Sequence, residues 1–176
     1  MFRSRVALAV LVCVVLITPA WGGHTLTPHD QKILGEWLSR HPEFRAATDT
    51  DCDCAEDIQQ MKNGYGGAWT PVPDYHPYAA TGDFNGDAIG DFAVVVIDHS
   101  KSTGNFALLV FNGPFGSKAA SPAFIESGLN LRGQGLFLGP PRPKPYRLVV
   151  GPFESDNTAI LVPRGRTYKL HGNQGD

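Results

Sequence analysis

The 176-residue chain is mildly acidic, with 15 Lys and Arg against 17 Asp and Glu, and 42% of it is hydrophobic. Its basic residues form no cluster, which argues against a nucleic-acid partner, since that would require a basic face. The one long apolar run lies at the start and no second follows, so no membrane span is predicted, and the length suits one domain with a sizeable core.

Residues 1–22 read as a secretory signal peptide. Arg3 and Arg5 precede an apolar stretch at 6–17, and Ala20 and Gly22 supply the small residues of a cleavage site after Gly22. The apolar stretch is short for a bilayer crossing. Cys13 lacks a small-residue approach, so no lipid anchor is predicted. The expected product is an exported domain, secreted or periplasmic, comprising residues 23–176.

Thr27, Pro28 and Asp30 form a helix start, with Thr27 as cap and proline at the first helical position. Ile33, Leu34, Trp37 and Leu38 then fall on one face, and Pro42 ends the run. Trp37 is expected in the core. Cys52 and Cys54, flanked by Asp51, Asp53, Glu56 and Asp57, precede a second helix through Ile58 and Met61 that stops near Gly64, with Asp53 and Glu56 in a capping-box pattern. In an exported protein these two cysteines are expected to be oxidised. A Cys52–Cys54 bridge closing a very small ring is favoured, the alternatives being pairing with another chain or a soft metal. Residues 65–77 are rich in Gly, Pro and aromatics, which excludes regular helix. This segment either packs irregularly over the sheet or offers Trp69 and Tyr75 as an interaction surface.

Residues 82–92, Gly-Asp-Phe-Asn-Gly-Asp-Ala-Ile-Gly-Asp-Phe, space oxygen-bearing side chains as a calcium loop does. Ca²⁺ takes six to eight oxygen ligands at roughly 2.3–2.6 Å, and a curled loop aims alternate side chains at one point. Asp83, Asn85 and Asp87 occupy ligand positions one, three and five. The backbone carbonyl of Ile89 takes position seven, and Asp91 position nine, directly or through water. The alternative is a hairpin turn with acidic decoration. Ala88 at position six and Val94 at position twelve depart from the EF-hand, which needs Gly and Glu there.

After Asp91 the chain enters an apolar, β-branched run. A calcium loop running into such a strand resembles the FG-GAP and VCBS repeats of integrin-type propellers and many secreted bacterial proteins. The likeness covers residues 82–97 as a single copy. It implies a calcium site between strands of an extracellular protein but not a propeller, which needs several blades. Ala88 stands where these repeats usually carry glycine.

Strands are predicted at 92–98 and 106–111, both continuously apolar and therefore covered on both faces, and at 122–126, 135–138, 146–150, 159–162 and 167–170. Residues 139–145, with four prolines around Arg142 and Lys144, read as a stiff extended segment, either a spacer or a contact surface for an acidic partner. The fold class expected is α+β: a mostly antiparallel sheet of about five to seven strands with two N-terminal helices packed on one face and the calcium loop between strands.

No nucleophile elbow, zincin motif or phosphate-binding glycine loop is present. His76 and His99 flank the calcium loop and its strand, and could join Asp91 as an acid/base set, the alternative being ordinary surface histidines. Three functional readings follow. The leading one is an exported calcium-binding module for protein interaction or scaffolding, with a protein or glycan partner. The others are a small secreted hydrolase with a structural calcium ion, and a periplasmic inhibitor or partner-binding protein. Calcium affinity is expected near 10⁻⁴–10⁻³ M, on the order of other extracellular modules.

Overall fold

The computed structural model describes residues 23–116, 119–139, 148–153, 155 and 157–172. The predicted signal peptide and the Arg142–Lys144 segment lie outside them.

Helix α1 (Pro28–Arg40) starts where the sequence places it. The Thr27 hydroxyl accepts from the Asp30 N–H at 3.2 Å, and the Asp30 carboxylate accepts from the Thr27 N–H at 3.1 Å. Together these satisfy two groups that a helix start leaves unpaired. A short strand β1 (Phe44–Ala46) follows, then a 3-10 turn at Asp49–Asp51, helix α2 (Ala55–Asn63) and strand β2 (Ala79–Gly82). The predicted strands are present as β3 (Asp91–Asp98), β4 (Phe106–Phe111), β5 (Phe124–Leu129), β6 (Gln134–Leu138), β7 (Leu148–Pro152), β8 (Ala159–Arg164) and β9 (Thr167–Gly172). The fold is α+β, and every strand pairing is antiparallel.

Two features differ from the sequence expectation. The described strands form two sheets, one with β3, β4 and β5 in order and both β1 and β2 on the free edge of β3, the other with β6 to β9 in order. The helices also lie on opposite faces of the first sheet. Ile33, Leu34 and Trp37 of α1 pack with Phe92, Val94, Val96, Leu109 and Phe111. Ile58 and Met61 of α2 join Ala93, Val95, Leu108 and Val110 and the inner face of the second sheet, through Leu136, Leu148, Val150 and Leu161. Strand β1 explains the change of side. It pairs along the β3 edge, Phe44 opposite Asp98 and Ala46 opposite Val96, and so carries the chain round that edge between the two helices. Because alternate residues of a strand point to opposite faces, β3 and β4 serve both cores, and all their residues are buried.

Cys52 and Cys54 form a disulfide, their Cα atoms 5.1 Å apart. Both are buried in the intersheet core. Asp53 between them takes φ 58° and does not cap α2; that position falls to Cys54, which makes no side-chain capping bond. Tyr75 is another correction. It is fully buried, with its ring against His24, Phe137 and Phe153 and its hydroxyl donating to the Leu136 carbonyl at 3.3 Å, so it contributes no interaction surface. Tyr78 likewise donates to the Leu131 carbonyl at 2.8 Å. The end of the irregular segment, at Tyr75 and Pro77, thus packs into the core, while residues 66–71 are exposed and Trp69, 50% exposed, is the aromatic left outside.

Candidate metal site

Strands β2 and β3 pair with Gly82 opposite Asp91, which makes residues 83–90 the connection of a β-hairpin and brings Asp83 and Asp91 together at its base. Both carboxylates are buried. The Asp83 oxygens accept from the N–H groups of Gly86 at 2.7 Å and Ala88 at 2.9 Å. Asn85 Oδ1 accepts from the Asp87 N–H at 2.8 Å, and Asp87 Oδ1 from the Ile89 N–H at 2.8 Å. The alternating oxygens therefore wind the loop by capping N–H groups two, three or five residues ahead, which is why this spacing curls the chain. Gly86 and Ala88 complete the turn with φ of 84° and 66°. The left-handed region costs alanine about 1 kcal/mol, so Ala88 holds a position suited to glycine.

Asp91 ties the loop to the rest of the protein. Its Oδ2 accepts from the Phe84 N–H at 2.9 Å and its Oδ1 from the Gly113 N–H at 3.0 Å. The Tyr168 hydroxyl of the second sheet lies 3.3 Å from Asp91 Oδ2 and 2.6 Å from Asn112 Oδ1, with one proton for the two acceptors. Burial, with a smaller contribution from the Asp87 charge, pushes the Asp91 carboxyl up to about 6, against the backbone donors of Phe84, Gly113 and Asn85 that favour its ionised form. Burial also raises the Tyr168 hydroxyl, which stays a donor at neutral pH. Gly113 is needed for closeness: a Cβ there would come within 2.5 Å of the Gly90 carbonyl and 2.7 Å of Ile89 Cγ2.

Among the described residues, no three His, Cys, Asp or Glu side chains converge in a metal-holding group. The carboxylates are turned onto the loop's own N–H groups, and Asn85 Nδ2 donates to Asp87 Oδ2 at 3.1 Å. The donor set still fits a hard cation. Every side chain in it presents oxygen, Asp83 and Asp87 accept one backbone N–H at each oxygen used and retain further lone pairs, and Asp87 stands exposed at the loop mouth. A cation would draw on Asp83, Asn85 and Asp87, with the Ile89 carbonyl and Asp91 beside them.

The structure does not assemble His76, His99 and Asp91. Asp91 opens β3 and His99 follows its last residue, about 26 Å away at about 3.3 Å per strand residue. The His76 Nδ1 instead pairs with the Asp49 carboxylate, at 3.0 and 3.1 Å from its two oxygens. This pair stands at a cavity of about 430 Å³ whose walls include Leu26, Leu34, Ala46, Ala79 and Val94, with Thr48 and Thr50 beside Asp49. The cavity occupies the gap between the ends of β1 and β2 on the β3 edge. Nothing in the sequence joins residues 49 and 76; the shared edge does. Asn112, Gly113 and Tyr168 likewise reach the loop only through the sheets.

Among the described residues, no helix is long and apolar enough to cross a membrane. Comparisons with protein-family models, with curated proteins and with solved structures give no match.

Proposed function

We propose that this chain is an exported calcium-binding module, in which Asp83, Asn85, Asp87, the Ile89 carbonyl and Asp91 hold Ca²⁺ and the ion stabilises the fold for a role in interaction or scaffolding. The observation that carries the reading is the hairpin connection itself. It is already wound by its own alternating oxygens, closed at the base by Asp83 and Asp91, and open to solvent at Asp87. When bound, calcium would supply positive charge among three carboxylates, which at about 4 Å repel by roughly 1 kcal/mol per pair even with water-like screening. The resemblance to single FG-GAP and VCBS loops points the same way. Thermal unfolding in chelator and in millimolar Ca²⁺, for the parent and for Asp87→Ala, tests it. A midpoint that rises with calcium in the parent and not in the variant supports the site; the absence of any shift, with no calcium heat in calorimetry, reduces the segment to an acidic turn.

One observation favours a second reading. The Asp49–His76 pair at the apolar cavity is an orienter and base of the kind a small hydrolase uses, with Nδ1 held by the carboxylate and Nε2 left to act. His76→Ala, assayed against short p-nitrophenyl esters, tests that reading. Turnover by the parent that the variant loses with its folding intact would favour the hydrolase, whereas equal rates would exclude His76 as the base.

A further inference from the structure

Helix α2 has a second face that the core does not use. Ile58 and Met61 point inward, while Glu56, Gln59, Gln60 and Asn63 recur every three or four residues along the other side. Among the described residues, the side chains of these four make no hydrogen bond or ion pair. They line a groove of about 610 Å³ together with Tyr65 and Gly66.

The end of this groove is a turn of left-handed backbone. Four consecutive residues, Gly64, Tyr65, Gly66 and Gly67, take φ of 71°, 49°, 64° and 97°. Left-handed backbone is adverse for tyrosine, and its use here fixes where the ring projects. The turn is pinned back onto the helix end by the Trp69 N–H to the Gly64 carbonyl at 3.0 Å and the Val72 N–H to the Met61 carbonyl at 3.0 Å. Gly64 has no room for a Cβ, which would meet the Trp69 carbonyl and Pro71. The result sets the Trp69 ring against Tyr65, their centroids 4.5 Å apart, with half of Trp69 in solvent. An indole held in place and left half exposed loses little conformational freedom on binding.

We propose that this groove binds a neutral oligosaccharide, with the C–H face of a pyranose on the Trp69 indole, which stands beyond the Tyr65 end of the lining and forms the platform, and its hydroxyls on Gln59, Gln60, Asn63 and Glu56. Each amide offers two donors and an acceptor, which matches the paired donor and acceptor character of neighbouring sugar hydroxyls, and the carboxylate adds acceptors. Among the described residues, the groove lining has no cation and one carboxylate, and Asp53 and Asp57 outnumber Lys62 on the same segment, so sulfated or uronic glycans and nucleic acids are disfavoured by charge. A protein partner is the weaker fit, because the lining among the described residues gives no deep apolar pocket for the buried anchor that such interfaces rely on. The site is separate from the calcium loop and stands whether or not that loop binds an ion.

The test is titration of the protein with chitotriose, cellotriose and maltotriose, and with a heparin-derived tetrasaccharide, each in chelator and in Ca²⁺. Tryptophan fluorescence and calorimetry are the readouts. Trp37 is buried, so a saturable change that Trp69→Phe removes reports on the platform. The expected result is saturable binding of at least one neutral trisaccharide, independent of calcium and weakened roughly tenfold to thirtyfold by Trp69→Ala and by Asn63→Ala. Circular dichroism and an unchanged unfolding midpoint show that these surface variants fold. Absence of saturable binding for all three neutral sugars up to about 10 mM, a range that covers weak sites, overturns the proposal. So does binding that survives Trp69→Ala, or preference for the heparin fragment.

Discussion

Asp91→Asn separates the electrostatics of the loop anchor from its hydrogen bonding. The carboxyl is 3% exposed and accepts from Phe84 and Gly113. Its folded pKa of about 6 exceeds the ordinary 3.8, so the native state holds the proton more tightly than the unfolded chain does. The contribution of this group to stability is therefore greatest below the ordinary carboxylate range and is lost as pH rises through about 6. The full difference is about two pKa units, or about 3 kcal/mol, of which about 2 kcal/mol falls between about pH 4.5 and about pH 7.5. An amide cannot titrate there, and it turns an NH₂ toward one of the backbone donors at a cost of about 1–3 kcal/mol at either pH. In chelator, the destabilisation caused by the substitution should be larger near pH 4.5 than near pH 7.5 by about 2 kcal/mol. Calcium at about 10 mM adds a second signature. With a dissociation constant of order 10⁻⁴–10⁻³ M it stabilises the parent by about 1.5–3 kcal/mol through mass action, and the variant by less. Urea unfolding at both pH values, with and without calcium, measures all four quantities. A destabilisation equal at the two pH values would refute burial as the cause of the raised carboxyl pKa, and equal calcium shifts would remove Asp91 from the ion site.

Four further outcomes are expected. Ala88→Gly should relieve the left-handed backbone, raise stability in chelator by about 0.5–1 kcal/mol and tighten calcium binding in calorimetry. Gly113→Ala forces a methyl against the Gly90 carbonyl and Ile89; it should cost about 1–3 kcal/mol in urea unfolding and weaken calcium together with stability. Trp37→Ala removes the ring by which α1 fills its side of the first sheet and should cost about 3–5 kcal/mol in the same assay. Asp51 is held below the usual carboxylate range, chiefly by its hydrogen bonds to Arg45 at 2.5 and 2.7 Å. Asp51→Asn should therefore lose about 1 kcal/mol at neutral pH, and the difference from the parent should vanish as acid protonates the parent carboxyl.

What the sequence determined by itself was local. The Thr27 and Asp30 capping pair, the stop at Gly64, the seven longer strands and the winding of residues 83–91 all depend on groups a few residues apart, so spacing and residue type suffice to read them. Short strands such as β1 and β2 have no such signature. Phe44, Arg45 and Ala46 are extended because the β3 edge accepts them, and that pairing is a tertiary event. The same edge sent the two helices to opposite faces and joined Asp49 to His76. It was tertiary structure, too, that buried Tyr75 and left Trp69 outside, since both belong to one irregular aromatic segment with no period to sort its faces. The anchoring of Asp91 by Gly113 and Tyr168 crosses 22 and 77 residues of chain. Hydrogen bonds over such separations are fixed by how sheets stack, and a chain read one window at a time carries no record of them.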